Sequence, residues 1–309
     1  MKLAFVYSGQ GAQHQGMGRD LYERYELVKS HFDQADEVFG SSLTNIIFND
    51  GEALNRTLNA QPAIFTMSTA LRELFKLHGI ESEGVCGLSL GEYAAYYDAG
   101  VFDFEDGLRT IIHRAYFMEE ATKQTQGAMV AMLGSYDAVN QLVETIDGLY
   151  MANINSASQI VVGGTDEACL KAVESASKFG IKRAIKLDTS GAFHTPMMEE
   201  ARKPFEQYLT LIHVNEPQKP LFLNTTGKRF ERDLKIEMGK QITNPVRFND
   251  QIEAMINDGY DTFVELGPKD TLKRLIKKIN RGVTVYHVED SDTFEQALRQ
   301  IKETSEYGV

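Results

Sequence analysis

The chain opens with an apolar run, LAFVYS (residues 3–8), that gives way to a glycine-studded loop, GQGAQHQGMG (9–18). A short apolar run bounded by a turn predicts a buried strand. Residues 19–39 carry Leu21, Tyr25, Val28 and Phe32 at helical spacing. QPAIFTMSTALRELFKLH (61–78) predicts a second helix, with Pro62 in its first turn and Gly79 as its stop. GVCG (84–87) reads as a short strand, LGEYAAYYDAG (90–100) as a helix closing at Gly100, and 105–121 as a helix carrying His113 and Arg114.

The pattern then changes. GAMVAMLG (127–134) predicts a strand, about 136–146 a helix, 149–154 and 159–164 two strands, about 166–179 a helix, and IKRAIKLD (181–188) a closing strand. This β-α-β-β-α-β order is that of a ferredoxin-like subdomain. Beyond it the α/β alternation resumes: a strand at 220–224, a helix at 249–258, a strand in YDTFVELG (260–267), a helix in LKRLIKKI (272–279), a strand in VTVYHV (283–288) and a last helix. The expected organisation is a large α/β domain in two parts, 1–125 and 191–309, with a small α+β subdomain at 126–190 inserted between them.

Bulk properties narrow the function. The 309 residues are 42% hydrophobic and 25% charged, as in an ordinary soluble globular protein. The formal net charge of -12 argues against a general nucleic-acid binder. No run approaches the roughly 18 apolar residues of a membrane span, and the N-terminal apolar run is too short for a signal-peptide core. Two separated cysteines, Cys86 and Cys169, give neither a disulfide framework nor a thiolate metal site. A reducing cytoplasm is expected.

The candidate chemistry centres on GLSLGE (87–92), where Gly87, Ser89 and Gly91 fit G-x-S-x-G. A strand before and a helix after are what a nucleophile elbow requires. Two glycines in a loop are the plain alternative. In an elbow, the Leu90 N–H at the helix start can donate to a developing oxyanion, and Glu92 suits the helix dipole. Gln10, flanked by Gly9 and Gly11, is a candidate second donor. A phosphate cradle in the same loop lacks the G-K-[ST] ending and the dinucleotide spacing.

A serine nucleophile needs a base. Of seven histidines, His31 sits in a polar stretch read as solvated, His78 at a helix end, His213 in a loop and His287 in a strand. His14, in the glycine loop, is a runner-up. His113 adjoins Arg114, whose charge is expected to depress its pKa. His194 stands out: it follows the small-residue turn TSGAF and precedes a helix start with Thr195 as N-cap and Pro196 at N1. No carboxylate stands out to orient it, which points to a Ser–His dyad with a carbonyl or amide group fixing the tautomer.

Eight motifs in order, GQGAQ, QPA, GLSLGEYAA, HRAYFM, NSASQ, GAFH, NPVRF and VELGP, make the chain resemble the malonyl-CoA:acyl carrier protein transacylases, stand-alone bacterial type, over nearly its whole length. The resemblance implies a hydrolase-like α/β core with a central, mostly parallel sheet and a ferredoxin-like insert. It implies Ser89 as nucleophile, His194 as base, and the N–H groups of Gln10 and Leu90 as the oxyanion hole. Arg114 matches the arginine that pairs with the malonyl carboxylate, a task that suits a planar guanidinium; a surface ion pair is the plain alternative. Gln61, Met118, Asn155, Gln159 and Phe193 match substrate-binding positions, Phe193 in a malonyl-selective form of its motif. The Arg247 carbonyl matches the group that holds the histidine. Three positions depart from the family pattern: Leu88 where many members have His, NSASQ without the usual Pro-Gly, and Phe248 where Trp is common.

The implied reaction is ping-pong malonyl transfer in fatty-acid biosynthesis, from malonyl-CoA through a malonyl-serine ester to the pantetheine thiol of acyl carrier protein. Coenzyme A is product, and no metal or permanently bound cofactor is expected. Carrier proteins are acidic, so docking must be local; Lys273, Arg274, Lys277 and Lys278 on one helix are candidates, a merely solvated helix face being the alternative. A serine esterase or thioesterase with the same dyad, or a non-catalytic acyl-binding module, would share much of this pattern. The chain reads as a free-standing enzyme.

Overall fold

The structure is a computed structural model and describes residues 1–307. Eight strands run in chain order: β1 (Leu3–Tyr7), β2 (Gly84–Gly87), β3 (Ala128–Leu133), β4 (Leu149–Ser156), β5 (Gln159–Gly164), β6 (Arg183–Lys186), β7 (Thr262–Leu266) and β8 (Thr284–Val288). The chain forms two compact units. One contains Met1–Ala115, Val214–Phe222 and the chain from Met255 on; the other contains Tyr116–His213 and Leu223–Ala254.

The first unit is built on a parallel sheet in the order β2-β1-β7-β8. Every residue of β1, β2 and β7 is buried, which is why β1 reads as an unbroken apolar run. Phe5 pairs with Val85 on one side and Val264 on the other. Helix Thr57–Leu77 buries most of its length, and each fully buried large apolar side chain contributes about 1.5–3 kcal/mol. It begins four residues earlier than the sequence indicates, so Pro62 lies inside the helix and not in its first turn. Gly79, at φ 77°, closes it: its N–H meets the Lys76 carbonyl, and the Ile80 N–H meets that of Phe75.

Three further expectations for this unit are corrected. The helix expected over 19–39 breaks at Tyr25, whose extended backbone (φ -119°, ψ 113°) separates Arg19–Arg24 from Glu26–Phe39. The strand expected at 220–224 is only an isolated bridge, Leu221 to Val85, beside β2. His31, read as solvated, is buried. Its Nε2 lies 2.9 Å from Thr69 Oγ1 and its ring 3.9 Å from that of Phe104. Burial pushes its pKa down to about 4.

The second unit holds an antiparallel sheet in the order β4-β5-β3-β6, with helices Tyr136–Thr145 and Asp166–Ser175 following β3 and β5. This is the expected ferredoxin-like arrangement. Val130, Met132, Ile160 and Val162 alternate inward and pack with Val139, Leu142 and Ala172 of those helices. Ser135 and Thr165 cap the two helices through their side chains. Helix Leu234–Gln241 was not foreseen; its mean hydropathy pattern is weak and Asp233 before it adopts a left-handed conformation (φ 60°).

Candidate active site

Ser89 sits at φ 54°, a conformation L-residues rarely adopt, between the end of β2 and helix Gly91–Asp98. The glycines around it are dictated by space. A Cβ on Gly87 would lie 2.1 Å from the Gly91 carbonyl carbon, and one on Gly91 would lie 2.1 Å from the Tyr7 oxygen. The Leu88 N–H also bonds the Tyr7 carbonyl at 3.0 Å. The turn is therefore folded onto the end of β1, a strained elbow of the kind that presents a serine hydroxyl. Leu90 is the helix N-cap residue, so its N–H belongs to the unsatisfied first turn.

Arg114 is fully buried on helix Phe104–Gln124. Its Nη2 donates to Ser89 Oγ at 3.2 Å and its Nη1 to Gln61 Oε1 at 2.6 Å. Its guanidinium lies 5.3 Å from the centre of the Tyr93 ring. Burial lowers its pKa, with Tyr93, Glu92 and Tyr96 acting the other way; an arginine still keeps its proton at any working pH. A surface ion pair is ruled out for this side chain. The network continues: Gln61 Nε2 donates to Gln10 Oε1 (3.2 Å), and Gln10 Nε2 to Thr57 Oγ1 (3.1 Å). Each amide is oriented by its neighbour, so the line from Arg114 to Thr57 has one polarity, and Arg114 donates the other way to Ser89. The structure thus brings Ser89, Leu90, Gln10, Gln61 and Arg114 together.

In the second unit His194 is buried, with φ 60°. Its Nδ1 lies 2.8 Å from the Gln241 carbonyl. A carbonyl only accepts, so Nδ1 carries the proton and Nε2 is left as the basic nitrogen. The Arg247 carbonyl, assigned this place by resemblance, instead accepts the Gln251 N–H at 3.0 Å. Gln241 is itself held: its Nε2 donates to Asn224 Oδ1 (3.3 Å), whose Nδ2 donates to Gln251 Oε1 (3.1 Å). Sequence reasoning missed these three buried amides; Gln241 and Gln251 flank NPVRF in an amide-rich stretch, and Asn224 carries no local signal. Thr195 caps the following turn as expected and ties it back to Ala192 O at 2.6 Å. Gly191 is required, because a Cβ there would lie 2.4 Å from Thr122 Cγ2. Met118, Asn155 and Phe193 are buried in this unit, and Gln159 pairs with Ser156 at the β4–β5 turn.

His14 and His113 are exposed, and the lowered pKa of His113 comes from desolvation, not from Arg114. On helix Thr271–Ile279, Arg274 pairs with Asp270 (2.6 Å) and Lys277 Nζ bonds the Val283 carbonyl (2.6 Å). Among the described residues no group of three or more His, Cys, Asp or Glu could hold a metal ion, and no helix is long and apolar enough to cross a membrane.

A strained serine elbow on a parallel α/β sheet, in a chain that also carries a ferredoxin-like unit, defines an acyl-group-handling protein of the hydrolase-like class. The acyl transferase domain family model matches residues 4–299. The malonyl CoA-acyl carrier protein transacylase of Bacillus subtilis is 38% identical, with 99% of each chain covered. The crystal structure of the transacylase of that name from Clostridium perfringens superposes with a TM-score of 0.95 at 37% identity, covering 99% of this chain and 98% of that one. A malonyl-transacylase solved with its type II PKS acyl-carrier protein gives 0.94 at 30% identity, covering 97% and 100%. This chain belongs to the malonyl CoA-acyl carrier protein transacylase family.

Proposed function

We infer that this protein transfers the malonyl group of malonyl-CoA to the phosphopantetheine thiol of acyl carrier protein, in fatty-acid synthesis. The observation that carries the reading is Arg114, a buried guanidinium 3.2 Å from the elbow serine. A buried cation beside a nucleophile selects an acyl group with its own negative charge. Gln61 holds one end of the guanidinium, leaving the Nη2 side to turn from Ser89 Oγ to the malonyl carboxylate when substrate enters.

Ser89 Oγ attacks the thioester carbonyl while His194 Nε2 takes its proton. The tetrahedral oxyanion accepts from the N–H groups of Gln10 and Leu90. The C–S bond then breaks, and coenzyme A leaves with the proton from His194. In the second half the carrier thiol gives its proton to His194 and attacks the malonyl-serine ester; Ser89 recovers its proton as the ester breaks. Met118, Asn155, Gln159 and Phe193 line the acyl site in this reading, and Phe193 crowds any methyl branch. Malonyl-CoA is substrate; the chemistry calls for no resident cofactor. Buried, unpaired Cys86 and Cys169 suit a reducing cytoplasm.

Intact-mass analysis after mixing with malonyl-CoA tests this. A malonyl adduct is expected on the native chain, absent from Ser89→Ala and discharged by holo-carrier protein. Prompt discharge by water alone would favour an esterase, and an adduct surviving Ser89→Ala would remove the nucleophile. For the carrier, helix Thr271–Ile279 remains the proposed docking face, with Lys273, Arg274, Lys277 and Lys278 as its basic residues. Lys273→Glu with Lys278→Glu should raise KM for the carrier and leave KM for malonyl-CoA unchanged; equal rises in both would end that proposal.

A further inference from the structure

The proposed Gln10 donor lies on a loop, and an oxyanion donor works only if its position is held before the reaction. The glycines that let the loop approach the elbow also make it soft: a Cβ on Gly9 would lie 2.6 Å from the Leu88 oxygen, and Gly11 has φ 96°. What opposes that softness is the end of β7 and the turn that follows it, residues 265–269. Glu265, fully buried, accepts the Ser8 hydroxyl at 3.3 Å through Oε1. Its carboxyl group is anchored in turn by the N–H groups of Leu272 (2.9 Å) and Lys273 (2.8 Å) at the start of helix Thr271–Ile279. Gly267 packs so closely on Ser8 that a Cβ would lie 2.6 Å from Ser8 Oγ. Lys269 reaches over the far side of the loop, where its Nζ donates to the Gly11 carbonyl at 3.0 Å.

Lys269 adopts φ 59°, in the left-handed region, and its own N–H is held by Glu289 Oε2 at 2.7 Å. The turn's backbone is tied separately, by Ser68 Oγ to the Leu266 carbonyl at 3.1 Å. Residues 8 and 11 are thus gripped on either side of Gln10 by two side chains from one short segment. The Gln10 side chain is meanwhile committed to Thr57 and Gln61, which leaves its N–H as the loop's free contribution to the site.

We propose that the turn 265–269 is a clamp that sets the Gln10 N–H, with Glu265 and Lys269 as positioning residues for the oxyanion hole. Neither touches the reacting atoms. The clamp acts on the transition state and not on the bound substrate, so its loss falls on the acylation rate and spares affinity for malonyl-CoA. The inference rests on the Ser89 reading above.

The test uses the full chain with Lys269→Ala, Lys269→Arg and Glu265→Gln. Malonyl-enzyme formation is followed in single turnover against malonyl-CoA concentration. Binding of boronoacetate, whose boronate becomes tetrahedral on Ser89, reports the oxyanion hole separately. Lys269→Ala should slow acylation about tenfold and weaken the boronate by a similar factor, with malonyl-CoA affinity within about twofold and an unchanged Tm. Lys269→Arg should restore most of both. Glu265→Gln should behave as Lys269→Ala does; should it fail to fold, the Lys269 pair decides alone. Native acylation and boronate affinity in Lys269→Ala would overturn the clamp, as would equal losses in boronate and malonyl-CoA affinity. Ser89→Ala is run beside them: an adduct there defeats the nucleophile itself, whereas a lost adduct with a native Lys269→Ala defeats only the clamp.

Discussion

Arg114 concentrates the chemistry of selection in one side chain. It is buried, forked, and held at one Nη by Gln61, so it presents a charge whose direction is preset. A lysine at this place would keep the charge and lose the second donor and the planar register. A charge-assisted hydrogen bond is worth about 1.5–3 kcal/mol, which is roughly ten- to a hundredfold in rate. Arg114→Lys should therefore lower kcat/KM for malonyl-CoA by at least about tenfold. Arg114→Ala should lower it further while improving the relative use of acetyl-CoA, which has no carboxylate to pair. Steady-state rates with both thioesters check this; an unchanged malonyl-to-acetyl ratio would remove Arg114 from substrate recognition. His31 shows the opposite fate of a polar side chain. It was read as solvated because its sequence neighbours are polar, but a helical residue shares its face with those three and four places away, and for His31 these include the buried Val28 and Ala35.

Among the elements, the elbow is the least tolerant. Gly91 meets the Tyr7 carbonyl where a Cβ would sit at 2.1 Å, and both sides of that contact are backbone. Gly91→Ala must push β1 away from the helix, so its cost should exceed the roughly 1–3 kcal/mol of ordinary overpacking. Gly40, also at positive φ but with nothing near its Cβ, should lose only about 1 kcal/mol on the same change. Urea unfolding of the two variants distinguishes them; equal losses would mean the elbow can relax. This element was legible before the structure because spacing alone carries it: strand, Gly-x-Ser-x-Gly, helix. The β-α-β-β-α-β order was legible for the same reason, each strand being a clean run bounded by turn residues. What could not be read was long-range. Nothing local marks Gln241, distant by 47 residues, as the carbonyl on His194, and nothing local turns residues 220–224 into a bridge beside β2. The helix around Pro62 was misjudged because a proline was given its commonest place, whereas packing along the buried face carries the helix through it.

For the whole molecule, two buried groups shift in opposite directions and together shape stability against pH. Glu265 is raised from its ordinary 4.5 to about 8: burial, with the charge of Asp270, outweighs the N–H groups of Lys273 and Leu272 and the Ser8 hydroxyl. His31 is lowered from 6.5 to about 4 by burial. Between about pH 4.5 and 6.5 the folded chain holds one more proton than the unfolded chain at Glu265 and one fewer at His31, so their contributions to the slope cancel. From 6.5 to 8 only Glu265 counts; the stability it supplies at low pH goes on being lost, at about 1.4 kcal/mol per pH unit, until the folded carboxyl ionises. Below 4.5 the loss reverses sign, as His31 must charge, and Asp98, held below its ordinary value by Lys219 and Arg72, must take up a proton on further acidification. Glu265→Gln removes the first contribution alone. In that variant the decline between pH 6.5 and 8 should disappear, and stability should instead climb between 4.5 and 6.5 by about 1.4 kcal/mol per unit, because His31 is no longer offset. Urea unfolding at unit intervals of pH measures both slopes in the native chain and the variant. A variant curve parallel to the native one would show that Glu265 is ionised when buried, with the helix N-terminus outweighing its desolvation.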